Sequence, residues 1–247
     1  MRSLVTRLPT PLRRGLGLRI PVEHLGAAFT DGRARPSLVQ ALSLDPRHAN
    51  RLDAIARGLD RARERGEFLH LYAHDIGHHT GPWVLDPARL GALLGAARER
   101  DLPVLSYRDW LESTDRRAGV VLSFDDDFTD HWCAHRALLE RTGATATFFV
   151  CRPQALSAEQ WADLAILAAA GHEIGCHGAV HVRADRFLRE ASVERWLDVE
   201  VRPAVDAFAE RGWSCASFAY PYGARTAATD AALGTRFRLV RATTYTR

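Results

Sequence analysis

The chain has 247 residues, enough for one or two domains, and its 47% apolar and 26% charged content is an ordinary globular balance. No apolar run approaches the ~20 residues of a bilayer span, and the basic opening is broken by Pro9 and Pro11, so a cytoplasmic protein without membrane span or secretory signal is expected. The net charge is only +3 and all 33 basic residues are arginines interleaved with acids, which argues against a nucleic-acid surface and excludes lysine Schiff-base chemistry. Cys133, Cys151, Cys176 and Cys215 are scattered with no CxxC pair and read as reduced thiols.

Residues 1–50 are rich in Pro, Gly and Arg and read as irregular, with a short helix near 36–43. Helical spacing runs from Asn50 to Arg65, followed by the strand-like FLHLYAH and the loop IGHHTGPW. Residues 87–100 read as a helix with Asp86 as N-cap and Pro87 in its first turn. Strands are expected at 103–107 and 119–125, a helix at 129–141 and a strand at 145–150. Then come a helix at 157–170 with a Ser157/Gln160 capping box and a strand at 172–176. A long helix follows at 187–211, kinked or split by Pro203, and strands at 215–220 and 237–242 flank a short helix near 226–233. About seven strands alternating with helices imply a parallel α/β sheet, closed into a barrel or, in competition, left open and doubly wound. No GxGxxG or P-loop pattern supports the nucleotide-binding version of the open sheet.

The unusual polar residues fall at carboxyl ends of expected strands. They are His74 and Asp75, then Asp125, Asp126 and Asp127, then His177 with His181, and Tyr220, Pro221, Tyr222 and Gly223. In a parallel barrel those ends share one rim, where active sites are built. Two histidines and a carboxylate can hold a divalent ion, and three consecutive acids repel one another without a cation. Asp126, His177 and His181 are the ligand candidates, and Asp125 is free to act as a base. Asp127 reads as a helix cap, and His78, His79, His131 and His135 have no matching strand-end acid. His172-Glu173 does not make an HExxH motif, because Cys176 stands in the last place and the run looks extended, so Glu173 reads as a sheet or loop partner. His70 shares the strand face of His74 and reads as a barrel-interior residue.

LSFDDDF (122–128), GHEIGCHGAVH (171–181) and FAYPYG (218–223) resemble, in order and spacing, the three motifs of the polysaccharide deacetylases (NodB homology, carbohydrate esterase family 4). The resemblance covers about 118–242 and implies a distorted (β/α)7 barrel. It assigns Asp125 as catalytic base, Asp126, His177 and His181 as metal ligands, and the Tyr222 N–H as an oxyanion donor. The metal it implies is zinc, with cobalt, nickel or iron as other fits. Two positions depart from the motifs: Gly178 stands where a Ser or Thr is usual, and Ala219 where an Arg often pairs with the base. Relatives normally end in a strand closing with a histidine general acid, whereas here the similar stretch, 68–112, precedes the first motif. A circularly permuted chain is therefore expected, with Met1 and Arg247 standing where relatives are continuous. Its single catalytic domain, 1–247, divides into an irregular part (1–50), the permuted piece (51–117) and the motif-bearing core (118–247). On this reading His74 is the general acid and Asp75 orients it, with Tyr220 and Pro221 supporting the substrate site. The expected function is metal-dependent removal of an N-acetyl group from an amino sugar in a saccharide or glycoside. The rivals are a hydrolase of a non-sugar amide or imide, and a carbohydrate-binding relative without catalysis. Trp83, Trp110 and Trp213 are candidate sugar-stacking residues.

Overall fold

The computed structural model describes residues 22–48, 50–115 and 117–244. Seven strands form a ring: β1 (Leu38–Ser43), β2 (Glu67–Ala73), β3 (Gly119–Asp126), β4 (Thr147–Val150), β5 (Glu173–Cys176), β6 (Ser217–Ala219) and β7 (Leu239–Thr243). Each pairs in parallel with the next. The ring closes because β7 lies in register on β1, from Val240 opposite Leu38 to Thr243 opposite Ala41. The sheet is thus a closed (β/α)7 barrel, not an open one.

Helices make the parallel crossovers. They are α1 (Leu52–Arg65), α2 (Pro87–Arg98), α3 (Tyr107–Glu112), α4 (Thr129–His135), α5 (Ala158–Ala169), α6 (Arg202–Ala209) and α7 (Ala227–Gly234). Their boundaries follow local chemistry. The Asp86 carboxylate accepts from the N–H groups of Ala88 and Arg89 ahead of Pro87, and Ser157 and Gln160 form the expected capping box of α5. Gly66 ends α1 in the left-handed conformation, at φ 64°.

Strand alternation sorts the side chains. Val39, Phe68, Val121, Phe149 and Leu239 meet Tyr107 and Trp110 of α3 to fill one end of the barrel. His70 is fully buried there against Tyr107 and Trp110. Glu173 is a sheet partner, accepting from Thr147 Oγ1 and Ser217 Oγ, each at 2.7 Å, and from the Arg108 N–H at 2.7 Å. Toward the carboxyl ends of the strands the interior turns more polar, with Arg241 and Asp125 both buried.

Three elements differ most from expectation. The segment read as a helix near 36–43 is strand β1, and a further short strand, Phe29–Asp31, lies antiparallel on β2. Leu, Ala and Gln favour a helix locally, but pairing to β7 and β2 decides the outcome. The strand at 103–107 shrinks to Val104–Leu105 on the edge of β3, outside the ring, because Ser106 caps α3. The long helix at 187–211 breaks into Ala184–Phe187, Val193–Trp196, a π-helical turn Leu197–Val201 and α6. Pro203 sits in the first turn of α6 and opens that helix. The part of the irregular region within residues 1–21, and the chain ends at Met1 and Arg247, lie outside the described residues. Among the described residues no helix is long and apolar enough to cross a membrane.

Candidate metal centre and active site

The rim at the carboxyl ends of the strands opens into a cavity of about 890 Å³ lined by His74, Asp125, Asp126, His177, His181, Tyr220 and Tyr222. These residues come from β2, β3, β5, β6 and the segments that follow them, so the sequence placed them correctly on one face.

Strict alternation along β3 would turn Asp125 inward and Asp126 outward. Asp126 escapes this because its backbone is left-handed, at φ 86°, which brings two consecutive carboxylates to the same mouth. His181 and Tyr222 are left-handed as well, at φ 68° and 60°. Such conformations cost a non-glycine residue about 1–2 kcal/mol each. They persist where surrounding contacts enforce them, and functional sites are where they gather.

Asp126 Oδ1 lies 3.2 Å from His181 Nε2 and 3.7 Å from His177 Nε2, and the two imidazole nitrogens are 3.3 Å apart. A tetrahedral zinc ion with bonds of ~2.0–2.1 Å requires donor separations of about 3.3 Å. His177 Nδ1 faces the Ala219 carbonyl at 2.8 Å; donating there leaves Nε2 as the lone-pair nitrogen toward the cluster. Asp126 Oδ1 is buried with no hydrogen bond of proper geometry. A buried acceptor without a donor, next to two imidazoles, fits a cation. Burial pushes His177 down to about 4 despite the pull of Asp125, so the ring is neutral at pH 7, as a ligand must be. Burial works against the Asp126 carboxylate, but His181, His177 and His74 outweigh it and hold the carboxyl well below its usual range.

Asp125 is buried and paired with the fully buried guanidinium of Arg241 on β7. Arg241 fills the part left open by Ala219. His74 takes its partner from an unexpected place: Asp45, just past the end of β1, contacts its Nδ1 at 2.8 Å. Burial disfavours the His74 cation, yet the Asp45 contact, with the charges of Asp125 and Asp126, raises it to about 9. The expectation that Asp75 orients His74 is therefore corrected. Successive residues point to opposite sides, and Asp75 turns away to His79 and His131. These two histidines do have a strand-end acid after all.

Gly178 also finds its explanation. Its φ is 88°, and a Cβ there would overlap the carboxylate of Glu200, lying 2.7 Å from Cδ. Glu200, from the π-helical turn, accepts from the N–H groups of Val180, His181 and Val182 at 3.1, 2.9 and 3.1 Å. It therefore shapes the loop that presents His181. Burial raises its carboxyl to about 7 against those hydrogen bonds.

Tyr222 is 55% exposed and packs its ring on His181 at 4.7 Å, while the Tyr220 hydroxyl donates to Asp230 and ties the strand end to α7. Pro221 is buried beside them. Of the three tryptophans named as sugar-stacking candidates, only Trp83 lines the cavity; Trp110 is buried at the other end of the barrel and Trp213 packs on Trp161. Asp127 does not cap α4; it pairs with Arg152 at 3.0 Å, and Phe128 holds the cap position. Burial pushes the Cys176 thiol up to about 12, which leaves it inert at neutral pH.

Asp45, Arg241 and Glu200 were missed in the sequence. Arg241 had a signal, since it lies two residues from Leu239 on one strand face. Asp45 would have been found at a strand end had β1 been recognised. Glu200 had none.

A family model described as polysaccharide deacetylase matches residues 112–237, just over half of the chain. The chain belongs to the polysaccharide deacetylase family. Among solved structures this deacetylase-family chain is similar to IcaB from Ammonifex degensii, at 19% identity and TM-score 0.58 over 69% of this chain and 80% of that one. It is similar to the Streptococcus pyogenes deacetylase PplD, at 19% identity and TM-score 0.56 over the same shares, 69% and 80%. It is also similar to BC0361, a polysaccharide deacetylase from Bacillus cereus, at 14% identity and TM-score 0.58 over 71% of this chain and 57% of that longer one. At these identities the likeness is one of fold. Comparison with curated proteins gives no match.

Proposed function

We propose that the protein is a metal-dependent hydrolase that removes an N-acetyl group from an amino sugar in a saccharide or glycoside. The observation that carries this reading is the convergence of Asp126 Oδ1, His177 Nε2 and His181 Nε2 at the mouth of the barrel, beside the carboxylate of Asp125. Asp126, His177 and His181 would hold the ion; their separations suit zinc, and the same donor set suits cobalt, nickel or iron. When bound, the ion supplies Lewis-acid polarisation of the acyl carbonyl and acidifies water.

The chain's own residues divide the remaining work. Asp125, held by Arg241, takes a proton from the attacking water as its oxygen adds to the amide carbon. The Tyr222 N–H donates to the oxygen that gains charge. His74, protonated and held by Asp45, gives its proton to the amine nitrogen as the C–N bond breaks. The products are acetate and the free amine. Trp83 and Tyr222 offer aromatic faces at the cavity edge for a sugar ring.

Arg241 and Glu200 fill the roles that Ala219 and Gly178 left open, which weighs against a relative without catalysis. We also read the chain as one permuted catalytic domain. β2, with His74 at its end, precedes the matched region, and β7 closes the ring on β1.

The test is acetate release from N-acetylglucosamine oligomers and glycosides, with ureides and simple amides as controls. Chelation should abolish turnover and zinc restore it. Asp125→Asn should lower kcat by 10²-fold or more on the scale of a lost general base. Turnover indifferent to chelation, or release from the amide controls alone, refutes the reading.

A further inference from the structure

Four of the histidines outside the cavity are not scattered but gather in two facing pairs. His78 and His79 lie on the segment after β2; His131 and His135 lie one turn apart on α4. The ring centroids of His79 and His131 are 5.3 Å apart, and those of His78 and His135 are 5.9 Å apart. Between the first pair sits Asp75, whose side chain is only 3% exposed. Its Oδ2 is 2.9 Å from His79 Nε2 and its Oδ1 is 2.8 Å from His131 Nδ1. One donor atom from each of the three lies within 4.8 Å of the others.

We propose a second divalent-metal site, of the zinc class, at Asp75, His79 and His131, separate from the one at the barrel mouth. The donor set is one carboxylate and two imidazoles, which suits borderline ions such as zinc, cobalt and nickel over magnesium or calcium. Both rings keep their outer faces in solvent, at 51% and 42% exposure, so an ion can enter and water can complete its shell. A zinc shell asks for donor separations of about 3.3 Å, slightly wider than the present contacts, and rotation of two half-exposed rings supplies that. His131 Nε2 lies 3.8 Å from Asp130 Oδ2, so a second carboxylate stands behind the ligand ring. Gly77 is part of the arrangement: a Cβ there would lie 2.6 Å from His79 Nδ1, so glycine lets the histidine fold back onto Asp75.

The position gives the site a purpose. Asp75 follows His74 directly, and the Trp132 indole of α4 donates to the His74 carbonyl at 2.8 Å. Trp83, on the same segment, packs on the His74 ring at 5.0 Å. An ion bridging Asp75 and His79 to His131 clamps this segment to α4 and fixes the backbone that carries His74 and Trp83.

The test is zinc stoichiometry, by elemental analysis after desalting and by calorimetric titration of chelator-treated protein with Zn2+. Wild type should bind two ions per chain, and the double variant His79→Ala/His131→Ala, altered at solvent-accessible rings, should bind one. Asp126→Asn should lose the other ion, and zinc should still raise its Tm through the remaining site. Two ions retained in the His79/His131 variant overturn the proposal. One ion in wild type that disappears with Asp126→Asn overturns it too, while leaving the proposed function intact. No ion in wild type overturns both.

Discussion

Restoring the usual hydroxyl residue at Gly178 should damage this protein. In Gly178→Ser a side chain must adopt φ 88°, which costs about 1–2 kcal/mol. Its Cβ would also occupy the space of the Glu200 carboxylate, which bonds three backbone N–H groups of the His181 loop. Above pH 7, where the Glu200 carboxyl is ionised, a hydrogen bond to it contributes about 1.5–3 kcal/mol. Displacing Glu200 far enough to lose even one, on top of the backbone term, brings the total to about 2.5–5 kcal/mol. For a chain of this size that is a fall in Tm of roughly 5–20 °C, at about 2–4 °C per kcal/mol. The assay is urea unfolding of metal-free protein, run as a double-mutant cycle with Glu200→Ala. In the Glu200→Ala background the overlap is gone, so Gly178→Ser should cost only the backbone term of about 1–2 kcal/mol. A Gly178→Ser protein as stable as wild type, or one with the same cost in both backgrounds, refutes the reasoning.

His74 is raised to about 9, so its protonated form should carry kcat/KM up to that pH and the rate should fall above it; Asp45→Asn should move this limb to lower pH, and a limb that does not move removes His74 as the acid. The same shift means that the His74 contribution to stability is complete below its unfolded value of 6.5 and is lost as pH rises through about 9. Arg241→Met leaves the Asp125 carboxylate buried and unpaired, a loss of about 3–5 kcal/mol that thermal unfolding should register and that Arg241→Met/Asp125→Asn should partly reverse. His70 is held neutral by burial, down to about 3, so between pH 6.5 and 3 the unfolded chain gains a proton that the folded chain refuses. Acid denaturation curves of His70→Gln should therefore be shallower over that window than those of wild type.

The site was more legible than the ring that carries it, and the reason is physical. Asp125, His177 and Tyr222 sit where hydrophobic, period-two runs stop at polar residues, and that signal is local. Asp45 sits in the same kind of place, but SLVQALSL has no clear period and uses helix-favouring residues. Its strand character comes from β2 and β7, one of them about 200 residues away in the chain. Misreading β1 therefore hid both a ring strand and the partner of His74. The edge pair Val104–Leu105 took its place in the count, because a short apolar run looks alike inside and outside a ring. Glu200 was invisible for a different reason: a π-helical turn shifts its facing by a residue relative to the helical pattern, so spacing does not lead to it.

Connectivity matters less to this centre than the position of the strand ends. Asp125 is held by an arginine from β7, while β6 carries Ala219 at its end, and β6 and β7 are adjacent and in register, Ala219 opposite Arg241. A guanidinium reaches the same carboxylate from either strand, because both line the same wall of the barrel. Likewise the partner of His74 comes from β1, the strand hydrogen-bonded to β2, and not from the next residue in sequence. In a closed parallel barrel every strand end lies on one rim, so a needed charge can be moved to a neighbouring strand without moving in space. The backbone is less free to change. Asp126, His181 and Tyr222 must hold left-handed conformations to aim at the cavity. The contacts that enforce them, Glu200 on the His181 loop foremost, are the ones that substitution should show to be least replaceable.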